Sequence, residues 1–145
     1  MQIRNHPFTT LGGIDRPMLW VSISGSSGTE RTSPLLAKID TGCDGCIFPL
    51  YIAKELGCDL SSAKKVSVET ASKPTEAYRI DSMEIDVLKM LPGREILSRI
   101  NGVPIYFIKD TKQMLLGAEG FLDSCVLTID YPNRVFSLVT QDKNQ

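Results

Sequence analysis

The stretch that decides the fold is LLAKIDTG, at residues 35–42. It is a short apolar run that ends in an acid, a small hydroxyl residue and a glycine. The run predicts a buried strand, and Asp40-Thr41-Gly42 predicts the turn where that strand ends. A carboxylate at the rim of a core must be satisfied by hydrogen bonds or serve a function through its altered acidity. We expect the flexible Gly42 to let its own N–H and the Thr41 hydroxyl turn toward Asp40.

A second apolar run, MLLGAEGFL, lies much later in the chain, at residues 114–122. It is interrupted by glycine and predicts a short helical turn at its end. Asp40-Thr41-Gly42 after an apolar strand, together with the later Leu115-Leu116-Gly117, resembles the retropepsin-like aspartic proteases. This is the family of the retroviral proteases, with one catalytic aspartate per chain. An Asp-Thr-Gly tripeptide alone recurs by chance, so the resemblance depends on the combination.

The resemblance implies a mainly-β fold, a closed acid-protease barrel like one half of pepsin, with one or two short helices. It implies that Asp40 is catalytic, that Thr41 bonds across a dimer to the partner's loop, and that Gly42 lies near the bound peptide. The expected supporting residues, under the acid loop, are Leu115, Leu116 and Gly117. The implied chemistry needs no cofactor and no metal.

The chain contains one Asp-Thr-Gly, whereas peptide hydrolysis by water needs both a base and an acid. Two carboxylates that share one proton supply both roles. A second Asp40 must therefore come from another copy, and a two-fold homodimer places the active cleft at the interface. The expected function is an aspartic endopeptidase for extended peptide or protein substrates. The alternative is a retropepsin-like module that dimerises or binds a peptide without cleaving it.

A predicted hairpin follows the acid at the position of the family's flap, the lid that closes over bound peptide. Its strands are expected at 66–70 and from residue 76 onward. The candidate flap residues are Ala71, Ser72, Lys73 and Pro74. Viral flaps have a glycine-rich tip, whereas proline stiffens this one. An ordinary surface hairpin is the other interpretation.

The domain organisation follows from the extent of the resemblance. Residues 1–17 contain two prolines and two glycines and predict an irregular N-terminal arm. The protease domain is expected at 18–139, and a frayed tail at 140–145.

Several further elements follow from local pattern. A strand at 18–23 is expected to run antiparallel to the strand before the acid, after a loop at 24–29. Helical spacing at 47–57 predicts a short helix. Alternating residues around a Tyr-Pro-Asn turn predict a terminal hairpin at 125–138.

Three features interrupt the middle of the chain. The apolar face switches near Asp81 and Ser82, which predicts a bulge. Pro92-Gly93 and Asn101-Gly102 each predict a turn.

Charge and hydropathy exclude two classes of partner. The net charge is -1, from 16 basic and 17 acidic residues without long blocks, so no basic face for nucleic acid is expected. No run approaches the ~20 apolar residues that span a bilayer, and the N-terminus lacks the apolar stretch of a secretory signal. We therefore expect no membrane partner and, by default, a cytoplasmic location.

The cysteines are Cys43, Cys46, Cys58 and Cys125. Without an export signal, reduced thiols are expected. The first two have C-x-x-C spacing, but a zinc site needs two further ligands, and the single histidine, His6, is far away in sequence. A redox motif should open a helix in a thioredoxin-like setting, which the pattern does not offer. The favoured interpretation is small residues packed behind the acid loop.

Overall fold

The structure, a computed structural model, describes residues 1–25, 30–90 and 95–140. Within these ranges it is mainly β, with one α-helix and one 3-10 helix. In chain order, the elements are β1 (Gln2–Pro7), β2 (Thr9–Leu11), β3 (Ile14–Arg16), β4 (Met18–Ser24), β5 (Leu35–Ile39), β6 (Cys46–Pro49), α1 (Leu50–Glu55), β7 (Lys64–Glu69), β8 (Pro74–Leu88), β9 (Ile96–Ile108), β10 (Leu115–Leu116), the 3-10 helix (Leu122–Ser124), β11 (Cys125–Asp130) and β12 (Val135–Thr140).

Six strands close into a barrel in the order β4-β5-β10-β6-β9-β8, and β8 pairs back with β4. The pairs β5–β10 and β6–β9 are parallel, whereas β4 runs antiparallel to both β5 and β8. β7 pairs with β8 outside this ring, so the β7–β8 hairpin extends from the barrel. The closed barrel confirms the predicted fold class.

The barrel is held by one hydrophobic core. Every residue of β4 except Trp20 is buried, and the large side chains of Phe48 and Phe107 fill the interior. Phe136 and Leu138, from β12, belong to the same cluster. The terminal strands therefore pack on the barrel as part of one domain core.

The N-terminal segment is ordered, and the irregular arm expected at residues 1–17 is wrong. β1 pairs antiparallel with β12, which pairs with β11 in a three-stranded sheet. β2 and β3 form a hairpin around Gly12 and Gly13, whose φ angles are +60° and +75°. The order of β1 comes from pairing with the far end of the chain, which local composition does not reveal.

The predicted domain limits of 18–139 stay a prediction. Thr140, the first residue of the predicted tail, pairs with Cys125 and belongs to β12. The expected fraying at 141–145 lies outside the described residues. So do the predicted turn at Pro92-Gly93 and most of the predicted loop at 24–29.

The predicted bulge near Asp81 and Ser82 is confirmed. The register of β8 against β9 shifts between Ile80 and Met83, and Ser82 has a φ of +60°. The predicted Asn101-Gly102 turn is wrong, because β9 runs through it and the register shifts again there. Gly102 has a φ of +69°, a conformation that serves a bulge as well as a turn.

The predicted helix is confirmed with narrower bounds, and the terminal hairpin is confirmed and extends to Thr140. Pro49 is extended and immediately precedes α1, and the chain pairs as β6 before it becomes helical. β11 and β12 pair antiparallel around the Tyr-Pro-Asn turn. None of the described helices has the length and hydropathy to cross a membrane.

Candidate active site

Asp40 is fixed by backbone hydrogen bonds at the end of β5. Its own N–H donates to the Leu116 carbonyl at 3.1 Å, and its carbonyl accepts from the Cys43 N–H at 3.2 Å. The Gly42 N–H donates to Asp40 Oδ1 at 3.0 Å. The side chain of Asp40 is 30% exposed, so the loop presents an oriented carboxylate to solvent.

Gly42 binds the acid as expected, but not for the expected reason. Its φ is not in the left-handed region, so its conformation is open to other residues. A Cβ at this position would lie 3.4 Å from Asp40 Oδ1, an ordinary contact. The described part of the chain therefore does not itself require glycine here.

Thr41 does not bond to the acid within the chain. No hydrogen bond joins its hydroxyl to Asp40, although both residues lie in the described ranges, so that expectation is wrong. The residue is exposed at the tip of the loop. Its hydroxyl is thus free to meet a group from outside this chain.

Lys38 lies beside the acid and was not anticipated. Its Nζ is 3.8 Å from Asp40 Oδ2, and the two side chains are 35% and 30% exposed. The signal was present in the sequence, because residues two apart on a strand point to the same face. The exposed pair adds little to stability but places a cation next to the carboxylate.

The Leu115, Leu116 and Gly117 segment lies directly under the acid loop. β10 pairs with β5, and Leu116, fully buried, is in register with Ile39. A Cβ on Gly117 would approach the carbonyl oxygens of Gly45 and Cys43 to 2.2 and 2.6 Å. The backbone beyond Gly117 also bonds to the loop, since the Ala118 N–H donates to the Cys43 carbonyl at 3.0 Å.

A polar cluster supports the other side of the loop, and sequence reasoning missed it. Arg79 forms a two-pronged ion pair with Glu119, at 2.9 and 3.1 Å, and also bonds to the Tyr106 hydroxyl. The Tyr106 hydroxyl donates to Glu119 Oε2 at 2.8 Å. The backbone N–H of Glu119 donates to the Asp44 carbonyl at 2.8 Å, which connects the cluster to the acid loop.

Charge and packing within this cluster depend on each other. Hydrogen bonds from Arg79 hold the pKa of Glu119 below its ordinary value. Burial, followed by the bond to Glu119, raises the pKa of Tyr106. A Cβ on Gly45 would lie 2.5 Å from the Tyr106 ring, so ring and loop are in close contact. The cluster therefore braces the loop that carries Asp40.

We expect Glu119→Gln to lower the melting temperature at pH 7 by about 1–3 °C, because a 42%-exposed ion pair contributes modestly. The pKa of Glu119 is lower in the folded chain than in the unfolded chain. Its contribution to folding stability is therefore fully present above the unfolded pKa near 4.5, and it is lost as the pH falls through the folded pKa. The melting temperatures of variant and wild type should therefore draw together as the pH falls below 4.5 and through the folded pKa of Glu119.

The matched control is Glu55→Gln, an exposed carboxylate at the end of α1. Its melting temperature should follow the wild type at every pH. A Glu119→Gln deficit that is the same at pH 3 and pH 7 would contradict a charge-dependent brace.

The candidate flap is the β7–β8 hairpin, and its tip is closed by Thr70. The Thr70 hydroxyl donates to the Lys73 carbonyl at 2.7 Å, and Pro74 begins β8 opposite Glu69. Proline is tolerated at the first residue of a strand. The tip thus has a defined turn instead of a glycine-rich one.

A groove of about 780 Å³ separates the hairpin tip from the acid loop. Asp40 lines it together with the predicted flap residues Ala71, Ser72 and Lys73, whereas Pro74 does not. Leu115 lines the floor. A second cavity, of about 240 Å³ beside Cys58, contains neither the acid nor the tip. The structure therefore places the expected acid and three of the four expected flap residues around one groove.

The C-x-x-C cysteines are protonated packing groups. Cys43 Sγ donates to the Gly45 carbonyl at 3.0 Å, and Cys46 is fully buried. Burial raises the pKa of Cys46 to about 12, and burial also raises the pKa of Cys43. Zinc binding and thiol exchange both need thiolates. Across the described ranges, no group of three or more His, Cys, Asp or Glu side chains is placed to hold a metal ion.

The barrel, the oriented acid and the overlying hairpin define an aspartic-protease type of fold. A crystal structure of a retropepsin-like aspartic protease from Rickettsia conorii matches this chain with a TM-score of 0.58 and 18% identity. The match covers 91% of this chain and 86% of that one.

The family follows from the sequence. A family model described as aspartyl protease matches residues 21–119, a range that contains the acid loop, the hairpin and Gly117. The chain belongs to the aspartyl protease family, and its fold is the one seen in a retropepsin-like member. No curated protein matches it.

Proposed function

We propose that this chain is an endopeptidase that hydrolyses peptide bonds with a water molecule held between Asp40 of two copies. The observation that carries the proposal is the placement of Asp40. Its carboxylate is oriented by the Gly42 N–H and opens into a groove roofed by the hairpin tip. A groove of about 780 Å³ is of the size that binding sites usually have.

The dimer is required because one acid cannot do all the proton transfers. Within the described residues, no second carboxylate is hydrogen-bonded to Asp40, whose one ion pair is with Lys38. In the proposed pair, one carboxylate is ionised and one is protonated, as close carboxylates share a proton. The apparent acidities then belong to the pair and not to either copy.

The proposed reaction has two steps. The ionised carboxylate takes a proton from water while the protonated one gives its proton to the peptide carbonyl oxygen, and the water oxygen adds to carbon. The tetrahedral diol then collapses as a proton passes to the nitrogen and the C–N bond breaks. The products are a carboxylic acid and an amine, so no oxidant, metal or covalent intermediate enters.

The other loop residues fit roles outside their own chain. Thr41 is exposed and not bonded to Asp40, which suits a hydroxyl that bonds to the partner's loop. Nothing within the described part of the chain requires glycine at position 42. A glycine there would instead let a bound peptide approach the backbone closely. An extended substrate would lie as a strand between hairpin tip and groove floor.

The test is subunit mixing between the wild type and Asp40→Asn. Cleavage of a labelled unfolded protein is measured at constant total chain concentration after subunits have exchanged. If both copies supply an acid, activity falls with the square of the wild-type fraction, to about one quarter in an equal mixture.

A linear fall to about one half in the equal mixture would mean that each chain acts alone and would overturn the paired mechanism. The non-catalytic module predicts a different result, in which no mixture cleaves and purified wild type is as inactive as the variant. Asp59→Asn, an exposed acid beside the smaller cavity, is the matched control and should mix without any loss.

A further inference from the structure

The β2–β3 hairpin starts at the same end of the barrel as Asp40. The Pro17 carbonyl accepts a hydrogen bond from the Ile39 N–H at 2.9 Å, and Met18 is in register with Lys38. Because β4 and β5 are antiparallel, the chain that leads into β4 comes from the end where β5 delivers its acid. The hairpin and Asp40 are thus neighbours on one face.

The base of the hairpin is held firmly by the β11–β12 turn. Asp15 forms an ion pair with Arg134 at 3.7 Å, and the Phe8 N–H donates to the Arg134 carbonyl at 2.8 Å. The rings of Phe8 and Tyr131 meet edge to face with centroids 5.4 Å apart. The hairpin is therefore a fixed projection, already oriented before any partner binds.

The tip of the hairpin is apolar and uncovered. Leu11 and Ile14 lie directly opposite one another, so both side chains are on the same face of the hairpin. They are 52% and 53% exposed, and Tyr131 beside the hairpin base is 55% exposed. Single exposed apolar residues are ordinary, but a paired set on a rigid projection is typical of a contact surface.

The area needed for a dimer favours a second copy as the occupant. Stable interfaces bury roughly 800 Å² and about 20–30 residues per partner, so the few residues of the acid loop need further contact surface beside them. A hairpin can reach about 15 Å beyond Pro17, at 3.3 Å per residue. We propose that the β2–β3 hairpin is a dimerisation arm that packs Leu11 and Ile14 against a second copy of this chain, an inference that rests on the homodimer of the proposed function.

The test compares dimer dissociation constants by sedimentation velocity over a dilution series. Leu11→Thr/Ile14→Thr removes apolar surface while keeping residues that favour strands, so the hairpin should stay folded. The matched control is Ile96→Thr/Leu97→Thr. These two exposed aliphatic residues begin β9, whereas Ile108, which lines the groove, ends the same strand. Hydrogen exchange of the amides in residues 9–16 checks that the hairpin persists.

We expect the dissociation constant of the arm variant to rise by at least about 100-fold. Two-fold symmetry places Leu11 and Ile14 of both copies in the interface, so four apolar contacts are lost together. Proteolysis should fall at low concentration and return at high concentration. A dissociation constant within threefold of the wild type, with the control unchanged, would overturn the arm. The endopeptidase would still stand in that case if cleavage required Asp40. A wild type that stays monomeric at every concentration would overturn the arm and the paired acid together.

Discussion

Asp40→Asn should lower the rate of peptide hydrolysis by at least about a thousandfold, because an amide can neither take a proton from water nor give one to the carbonyl. In the proposed homodimer, the substitution removes the base and the acid at once. The substitution keeps an oxygen for the Gly42 N–H, so the loop should keep its geometry. Initial rates on a labelled unfolded protein, measured beside melting curves, separate lost chemistry from lost folding.

A stability control and a matched variant show whether the lost activity comes from the chemistry of Asp40. The Asp40→Asn variant should melt within about 2 °C of the wild type, since the Lys38–Asp40 pair is exposed and weak. Cleavage retained in a folded Asp40→Asn variant would remove Asp40 from the mechanism. Asp59→Asn, the same chemical change away from the groove, should cleave at the wild-type rate.

The parts of the fold that the sequence predicts are those with a local signal. The apolar run before Asp40, the alternation before the terminal turn and the phase change near Ser82 each depend on residues close together in sequence. The turn at Gly12-Gly13 also had such a signal, because paired glycines favour two-residue hairpins. β1 had none, since Ile3 is the single buried residue in that strand.

The parts that could not be predicted depend on distant pairs. Arg79 and Glu119 are 40 residues apart, and nothing in either neighbourhood marks them as partners. Asp86 alternates with apolar residues as an outward-facing strand residue would, yet it is fully buried under Arg31 and Arg99. Pattern gives the face of a strand, whereas only tertiary structure shows what covers it.

Gly117→Ala should destabilise the protein by about 3 kcal/mol or more, at the upper end of what overpacking costs. The added methyl would lie 2.2 Å from the Gly45 carbonyl oxygen and 2.6 Å from that of Cys43. Both are backbone atoms of the acid loop and cannot rotate away as a flexible side chain could. Either β10 or the loop must move, so we expect a melting temperature lower by about 10 °C.

The same displacement should reduce proteolysis in whatever protein still folds. Ala118 and Leu116 bond to the two sides of the acid loop, so moving β10 moves Asp40 away from the position that the proposed paired mechanism requires. A misplacement of about 1 Å costs on the order of a hundredfold in rate. Activity per folded molecule, scaled by the near-ultraviolet circular dichroism signal, measures this loss apart from unfolding.

Gly42→Ala is the matched control for stability, because it adds the same methyl group to the same loop. Its Cβ would lie 3.4 Å from Asp40 Oδ1, so the melting temperature should stay within about 2 °C of the wild type. If Gly117→Ala melted like Gly42→Ala, the contact between β10 and the acid loop would not be the support that the carbonyl distances indicate. If instead Gly117→Ala alone is destabilised, glycine is present at the two positions for different reasons. Gly117 is then needed by the folded chain, whereas Gly42 is not, which agrees with the close approach of a peptide proposed for that position.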